Sequence, residues 1–191
     1  MARLLIALLV TFLALPVRAD WYLDNESSRL SFITTKAGNF SEVHRFRTLH
    51  GRIDGQGLAR LRVELESLST GIPLRDERLR SLLFDVARFP EALIMAQLYL
   101  VPITDLAPGA QLELRLPIQV EIRGRKHGYM AELLVTRLDD RRFQVVTLAP
   151  LVLHAEHFGL QTGIDELRKL ARLSSIGLSV PVGAVMIFTT R

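Results

Sequence analysis

Much of the chain consists of stretches in which apolar and polar residues alternate one by one. The longest runs from Gln111 to Arg123, with an apolar side chain at every second position and mostly charged or amide side chains between them. Residues 60–66 repeat the pattern, with Arg and Glu alternating with Leu and Val. Alternation of this kind places apolar side chains on one face of a strand and polar ones on the other. It is typical of antiparallel sheets and barrels and not of βαβ folds.

Turn signals divide the rest of the chain into further strand candidates. Gly, Pro or paired Asp residues mark turns at 54–57, 107–109, 123–124 and 139–140. With the two alternating stretches, the segments between these turns make about eight strands, a number whose closure leaves room for one small ligand. The additional strand candidates are residues 29–36, 43–54, 91–101, 129–136, 142–154 and 175–189.

Two segments have helical rather than alternating patterns. From Gly163 to Leu173 the apolar residues share one helical face, and acids precede bases, as suits the helix dipole. Thr162 and Asp165 have capping-box spacing, which predicts a helix start at Thr162. A shorter helical turn is expected around residues 76–83. Pro117 interrupts the longest strand candidate, so an edge position or a bulge is predicted there.

Residues 1–19 are laid out like a secretory signal peptide. One Arg precedes the apolar run Leu4–Leu15, which is shorter than the roughly 20 residues that span a bilayer. Val17-Arg18-Ala19 then fits a cleavage site. The alternative, an uncleaved membrane anchor, is disfavoured by the short run. We therefore predict that the signal is removed, that residues 20–191 form one domain, and that this domain works in a bacterial periplasm.

Composition excludes several functions. The chain has 24 Lys and Arg against 20 Asp and Glu, and no run of five like charges, so no nucleic-acid binding is expected. Cys is absent, which excludes thiol catalysis and Cys-ligated zinc. No G-x-S-x-G elbow is present and no pair of carboxylates is favoured for glycosidase chemistry. We therefore predict that the protein is not an enzyme and has no catalytic residues.

Histidine supplies one spacing that a metal site could use, His154 and His157. Residues three apart on a strand point to opposite faces, so the two imidazoles are expected to diverge. With no Cys and no helical H-E-x-x-H, neither a metal site nor a cofactor is predicted. His44, His50 and His127 are expected to be surface residues of strands or turns.

The basic cluster Arg75, Asp76, Arg78 and Arg80 allows two interpretations. Its guanidinium groups could lie at a barrel mouth and meet a polar or phosphorylated lipid head group. Alternatively, Asp76 caps a short helix and pairs with an Arg, which would fix a crossover between strands. The second, structural interpretation is favoured.

The same segment carries a resemblance to a known family. Residues 70–81, Thr-Gly-Ile-Pro-Leu-Arg-Asp-Glu-Arg-Leu-Arg-Ser, and 84–91, Phe-Asp-Val-Ala-Arg-Phe-Pro-Glu, resemble the signature of the YceI-like family. The opening Trp21-Tyr22-Leu23-Asp24 and the C-terminal Phe158-Gly159-Leu160 are similar to other parts of it, so the resemblance covers the whole mature chain. Two departures stand out at positions that bear on the ligand. Arg78 stands where the family often has His, and His44 where it often has Gly.

A third departure is Ile94, which stands where the family would have Phe. The resemblance implies an exported lipid-binding protein. The predicted fold is all-β, an antiparallel eight-stranded lipocalin-like barrel with one or two short helices. The predicted ligand is a long-chain isoprenoid of the quinone or polyprenyl type, held inside the barrel, with transient membrane contact as a further expectation. Alternation and resemblance together place the lipid contacts at Phe32, Phe46, Leu61, Val63, Leu65, Leu112, Leu114 and Leu116 on the wall, and at Leu79, Leu83, Phe84 and Phe89 on the crossover.

Two other functions stay open from the sequence. The barrel could be filled and act as a ligand-free partner of a membrane redox or envelope protein. It could also be an enzyme that acts on isoprenoids. The length of the lipid, its head group and the oligomeric state are left open by the sequence.

Overall fold

The computed structural model describes residues 20–190. The predicted signal peptide, residues 1–19, lies outside the described residues. Strand segments make up most of the described chain: β1 (Trp21–Leu23), β2 (Arg29–Lys36), β3 (Phe40–Phe46), β4 (Leu49–Ile53), β5 (Leu58–Glu64), β6 (Leu68–Ser69), β7 (Glu91–Gln97), β8 (Gln111–Ile122), β9 (Arg125–Arg137), β10 (Arg142–Thr147), β11 (Leu151–His154) and β12 (Ser179–Thr190).

These segments form eight runs, because short kinks divide four of the runs in two. The divided runs are β1–β2, β3–β4, β5–β6 and β10–β11. Each run pairs antiparallel with its sequence neighbours. β12 then pairs with β10 and β11 on one side and with β1 and β2 on the other, which closes the sheet. The predicted eight-stranded antiparallel barrel is confirmed.

The longest alternating stretch has the predicted orientation. In β8, Leu116, Val120 and Ile122 are buried and face the interior, whereas Glu113 is exposed. β8 pairs with β9 along its whole length, but its register with β7 covers only residues 118–121. Pro117 therefore lies one residue beyond the β7 register, at a local edge of the kind predicted for it.

Three α-helices connect the strands: α1 (Pro73–Arg78), α2 (Val101–Thr104) and α3 (Gln161–Leu170). A π-helical turn, Leu79–Phe84, continues α1, and 3-10 turns occupy Leu65–Ser67 and Ala155–Phe158. α1 and the π-helical turn together cover the expected helical turn at 76–83, whereas α2 was not predicted. Among residues 20–190, no helix has the length and apolar character needed to cross a membrane.

The predicted capping box of α3 is wrong. The helix has Leu160 at its N-cap with no side-chain cap, so Thr162 already lies inside the first turn. Asp165 instead pairs with Arg168 at 2.9 Å and Lys169 at 2.7 Å along the helix surface. The first half of the predicted apolar face is confirmed, since Ile164 and Leu167 are buried, whereas Leu170 and Ala171, predicted on the same face, are exposed.

Two packed clusters fill parts of the interior. The larger one joins the strands to α3 and to the turns that precede it, with Leu65, Leu68 and Phe158 the most deeply buried. The smaller one lies at the Trp21 end of the barrel, where Ile103 of α2 packs with Phe143 and Val135. Trp21 meets Phe143 edge-on with 4.6 Å between ring centroids. α2 therefore plugs this end of the barrel.

The β4–β5 turn gives a test of how tightly the strand ends are packed. Gly57 has φ +85°, and a Cβ there would lie 2.2 Å from the Leu98 carbonyl oxygen. Gly38 in the β2–β3 turn has φ +86° but nothing within 4 Å of such a Cβ. We expect Gly38→Ala to lower the free energy of unfolding by about 1–2 kcal/mol, the cost of the left-handed backbone alone. Gly57→Ala should lower it distinctly more, as measured by urea unfolding.

The pair of variants is matched in backbone conformation, so the difference between them reports the contact with Leu98. Equal losses for Gly38→Ala and Gly57→Ala would mean that the Leu98 carbonyl moves aside at no cost, which would contradict tight packing at this turn.

Candidate functional site

The barrel encloses a cavity of about 660 Å³, within the range of about 300–1,000 Å³ that small-molecule sites usually have. Inward-facing side chains from all eight runs line it, together with residues of α1, α2 and α3. Most of the lining is aliphatic or aromatic. An apolar enclosure of this kind favours burial of an apolar ligand over water.

Half-buried side chains show that the barrel is not simply a filled core. Phe32, Leu61, Ile94 and Ile118 all line the cavity, yet none of them is fully buried. A residue that points into a closely packed interior is surrounded by other side chains. These four instead border open volume, so the interior has room for a ligand.

Most of the predicted lipid contacts are brought together on this wall. The cavity lining includes Phe32, Phe46, Leu61, Val63, Leu65, Leu79, Leu83, Phe84, Leu114 and Leu116.

The structure places the other two predicted contacts elsewhere. Leu112 packs at the plugged end against Ile103, Val135 and Phe143, and it does not line the cavity. Phe89 lies in the turn after the crossover, with its ring beside Arg88 and against the Gly124 turn. The chain has left the barrel interior there, so Phe89 does not reach the cavity.

Several lining residues were not predicted as contacts. They come mainly from the late part of the chain, where apolar residues occupy both faces of β12 and hide the alternation. Ile164 and Leu167 could have been predicted as lining residues from the sequence, because they belong to the apolar face predicted for α3. The unpredicted lining residues include Ile94, Ile118, Val120, Leu151, Leu153, Leu160, Ile164, Leu167, Ile176, Val180, Val182, Met186 and Phe188.

The lining changes from apolar to polar along the barrel. On the β1–β2 run, Trp21 lies at the plugged end, Leu30 and Phe32 follow, and Thr34 and Lys36 lie at the other end. The partner strand β3 repeats this order, since Phe46, His44 and Glu42 line the cavity at the matching levels. We call the second end, formed by Thr34, Lys36, Glu42, His44, Arg75 and Arg78, the polar end of the cavity.

One carboxylate holds the polar end together. Glu42 Oε2 lies 2.6 Å from Lys36 Nζ and 2.8 Å from Arg75 Nη1. The two cations lower the pKa of Glu42 through their hydrogen bonds and charges, so the group is ionised at neutral pH. Through Arg75, Glu42 also ties the β2–β3 hairpin to α1.

Asp76 has a structural role, but it is not the predicted helix cap and it does not pair with an Arg. It is buried and accepts hydrogen bonds from the Thr70 hydroxyl and, at 2.9 Å, from the Thr70 backbone N–H. The N-cap position is Ile72, so Asp76 does not cap the helix, and its bonds go to Thr70 rather than to an Arg. Arg75 makes the ion pair instead, with Glu42, and donates to the Thr70 hydroxyl and carbonyl oxygens.

His44 is buried, not a surface residue as predicted. It is 5% exposed because it lies on the inward face of β3, and its Nε2 is 2.9 Å from the Thr34 hydroxyl. Its Nδ1 has no hydrogen-bond partner among residues 20–190. Burial lowers the pKa of His44, and the positive charge of Arg75 lowers it further, so the ring is uncharged at neutral pH.

The predicted divergence of His154 and His157 is wrong. β11 ends at His154 and the following 3-10 turn brings the two ring centroids to 5.3 Å. His157 also stacks on His127 at 3.6 Å, and its Nδ1 is 2.9 Å from the Tyr129 hydroxyl. Within residues 20–190, no three His, Cys, Asp or Glu side chains are arranged to hold a metal ion.

Burial of neutral His44 makes stability depend on pH. The pKa of His44 is lower in the folded chain than the ordinary value of about 6.5, so the unfolded chain binds the proton more readily. The stabilisation is complete above about pH 6.5 and is lost as the pH falls below that value. We expect the free energy of unfolding in urea to fall between about pH 7.5 and pH 5, and His44→Gln to reduce this fall.

The control is His50→Gln, which removes an exposed imidazole that pairs with Glu64 at 2.6 Å. A fall in stability that is unchanged by His44→Gln would contradict the assignment of a neutral buried ring. Some fall should persist in the variant, since burial also lowers the pKa of His157.

Comparison with known proteins agrees with this architecture. The model of the YceI-like domain matches residues 21–187. A solved polyisoprenoid-binding domain from Saccharophagus degradans, implicated in plant cell wall breakdown, is 32% identical, with a TM-score of 0.88 and coverage of 90% of this chain and 98% of that one. BcnA from Burkholderia cenocepacia shares the fold at 16% identity and a TM-score of 0.66, with coverage of 86% and 98%. No curated protein sequence matches the chain.

The family model thus extends over nearly the whole described chain, and a relative of clear sequence similarity has the same barrel. The residues that first carried the resemblance, at 70–81 and 84–91, form α1, the π-helical turn and the turn after it. On these grounds the chain belongs to the YceI-like family.

Proposed function

We propose that the protein holds a long-chain isoprenoid lipid, of the quinone or polyprenyl type, inside its barrel. The observation that carries this proposal is the cavity of about 660 Å³, apolar along most of its length and polar at one end. An isoprenoid with a head group has the same distribution of polarity. The solved relative at 32% identity is a polyisoprenoid-binding domain, which supports the same ligand class here.

Burial of the tail alone is sufficient to hold such a lipid. An isoprene unit has about five carbons, and burial of each stabilises the complex by roughly 0.8 kcal/mol. Association costs about 4–15 kcal/mol in lost freedom of motion. A few buried units therefore offset this cost, and no hydrogen bond or covalent bond is required.

The polar groups of the cavity favour a binding role over catalysis. Glu42 is ionised but is held by Lys36 and Arg75, so its carboxylate is not free to act as a base. His44 is uncharged, and when the Thr34 hydroxyl donates to Nε2 the ring proton is on Nδ1, so the open nitrogen is a hydrogen-bond donor and not a base. General acid–base catalysis needs a group that is free to exchange a proton with the substrate. The arrangement instead suits a protein that holds its ligand unchanged.

Blocking the cavity tests this proposal. Ile118 lines the cavity and is half-buried, whereas its neighbour Gln119 is exposed on the outer face of β8. The Ile118→Trp ring should occupy volume that the lipid would use. We expect Ile118→Trp protein to fold but to retain at most about one tenth of the isoprenoid that the parent protein retains after purification from a bacterial host. The lipid is quantified by mass spectrometry of organic extracts.

The matched control is Gln119→Trp, which adds the same ring outside the barrel and should retain lipid like the parent. Circular dichroism and urea unfolding establish that both variants fold. Full retention of lipid by folded Ile118→Trp would contradict the cavity as the binding site. Recovery of no isoprenoid from the parent would favour a ligand-free barrel that acts as a protein partner.

We also propose that the protein is exported, with residues 1–19 removed as a signal peptide and residues 20–191 forming the mature domain. The proposal rests on the charged start, the short apolar run and the small residues before Asp20. Mass analysis of the protein released by osmotic shock should show Asp20 as the first residue. An intact N-terminus in the membrane fraction would contradict export in this form.

A further inference from the structure

The polar end of the cavity carries more positive than negative charge. Three cations line it, Lys36, Arg75 and Arg78, against one carboxylate, that of Glu42. Glu42 is shared between Lys36 and Arg75, so it cannot neutralise both of them fully. We infer that this end of the cavity is a binding site for an anionic head group, and that the lipid is an isoprenyl phosphate. This inference rests on the proposed function.

Arg78 is the residue best placed to meet the head group. It lies three residues after Arg75 in α1, on the same face of the helix, and both side chains line the cavity. Among residues 20–190, the Arg78 side chain has no hydrogen-bond or ion-pair partner, whereas the Arg75 side chain is held by Glu42 and Thr70. A half-buried guanidinium without a partner is available for a ligand, and its planar fork suits phosphate oxygens.

Other charged groups near α1 do not cancel this surplus. Asp76, a residue of α1, is buried, held by Thr70 and absent from the cavity lining, but its negative charge reaches His44, whose pKa it raises against the stronger effects of burial and Arg75. Glu77 is exposed and does not line the cavity. Arg80 is directed to Glu66 and to the Leu68 carbonyl oxygen. With Asp76 counted, the three cations Lys36, Arg75 and Arg78 face the two carboxylates of Glu42 and Asp76, so one positive charge remains in excess, and Arg78 is the cation without a partner.

His44 gives a second, independent observation at the same end. It is 5% exposed, lines the cavity, and its Nδ1 is buried without a hydrogen-bond partner among residues 20–190. Leaving a buried polar atom unpaired is unfavourable. When the Thr34 hydroxyl donates to Nε2, the ring proton is on Nδ1, and His44 becomes a neutral donor for a ligand oxygen.

The direction of the ligand follows from the polarity of the wall. The plugged end offers Trp21, Ile103 and Phe143, which provide apolar surface to the last part of a tail. A polar head buried there would lose its hydrogen bonds with water and regain few. The head group therefore lies at the polar end, with the tail directed toward α2.

The charge distinguishes among the possible head groups. A quinone or an alcohol brings only neutral acceptors and leaves the positive charge of the site uncompensated. A phosphate brings negative charge and several oxygens, and so can accept from Arg78 while offsetting the charge shared around Glu42. The phosphate ester of a long-chain isoprenoid therefore fits both the apolar and the polar part of the cavity.

A competition experiment tests the inference. The full protein is incubated with equal amounts of a polyprenyl monophosphate and the polyprenol of the same chain length, re-purified, and extracted for mass spectrometry. We expect the parent to retain the phosphate over the alcohol by about tenfold or more, the effect of one charge-assisted contact. Arg78→Gln should reduce this ratio to nearly one without reducing total lipid.

The matched control is Arg45→Gln, which removes the same charge from the exposed outer face of β3, next to His44. It should leave the ratio unchanged. Equal retention of the two lipids by the parent, or a ratio that Arg78→Gln does not alter, would overturn the head-group assignment while leaving isoprenoid binding intact. Retention of neither lipid would overturn the proposed function itself.

A further arm separates a lipid head group from a free anion. Inorganic phosphate, added at the concentration of the lipids, should not change the ratio, because the tail contributes most of the binding. Loss of the preference on its addition would identify a free-phosphate site and overturn the assignment to a lipid.

Discussion

The pairing of β12 with both ends of the sheet is the interaction on which the rest of the structure depends. β12 pairs with β1 and β2 through residues 182–190 and with β10 and β11 through the opposite edge. Without it, the sheet would have two free edges and its apolar face would be open to water. With it, the apolar faces of all eight runs point at one another across a common interior. The cavity is therefore a consequence of closure.

Closure leaves two ends, and different elements cover them. At the Trp21 end, Ile103 of α2 packs with Phe143 and Val135 and covers the barrel with apolar side chains. At the other end the lining is polar, and α1 is held against the β2–β3 hairpin by the contact of Arg75 with Glu42. Apolar packing therefore covers the Trp21 end, whereas hydrogen bonds and ion pairs hold α1 in place at the polar end. The two ends of the cavity therefore differ in polarity.

At the polar end, one short helix carries both structural contacts and the proposed contact with the head group. Asp76 and Arg75 direct their hydrogen bonds to Thr70 and thereby hold the start of α1 in place. Arg78, one turn further, is left without a partner among the described residues and faces the cavity. The structural interpretation of this basic cluster and the proposed head-group contact are therefore compatible, because they involve different residues of the same helix.

The strands and their faces could be predicted from the sequence, because alternation is a local property that each strand carries by itself. β2 and β8 lie where the pattern places them, and the apolar residues of β5 and β8 face inward as the alternation predicts, although Leu112 does not line the cavity. The signature at residues 70–91 further identified the family. A local pattern does not show how much of the barrel interior is filled by other segments of the chain.

Only the tertiary structure decided the remaining points, since each depends on residues far apart in the chain. Leu112 and Leu114 belong to the same alternating face and pack against the same cluster as Ile103 of α2, but only Leu114 lines the cavity. His44 is buried because β3 turns its even-numbered residues toward an interior that exists only after closure. His154 and His157 meet because a 3-10 turn follows β11. The sequence thus determined which side chains face inward, and packing between distant segments decided which of them border open space.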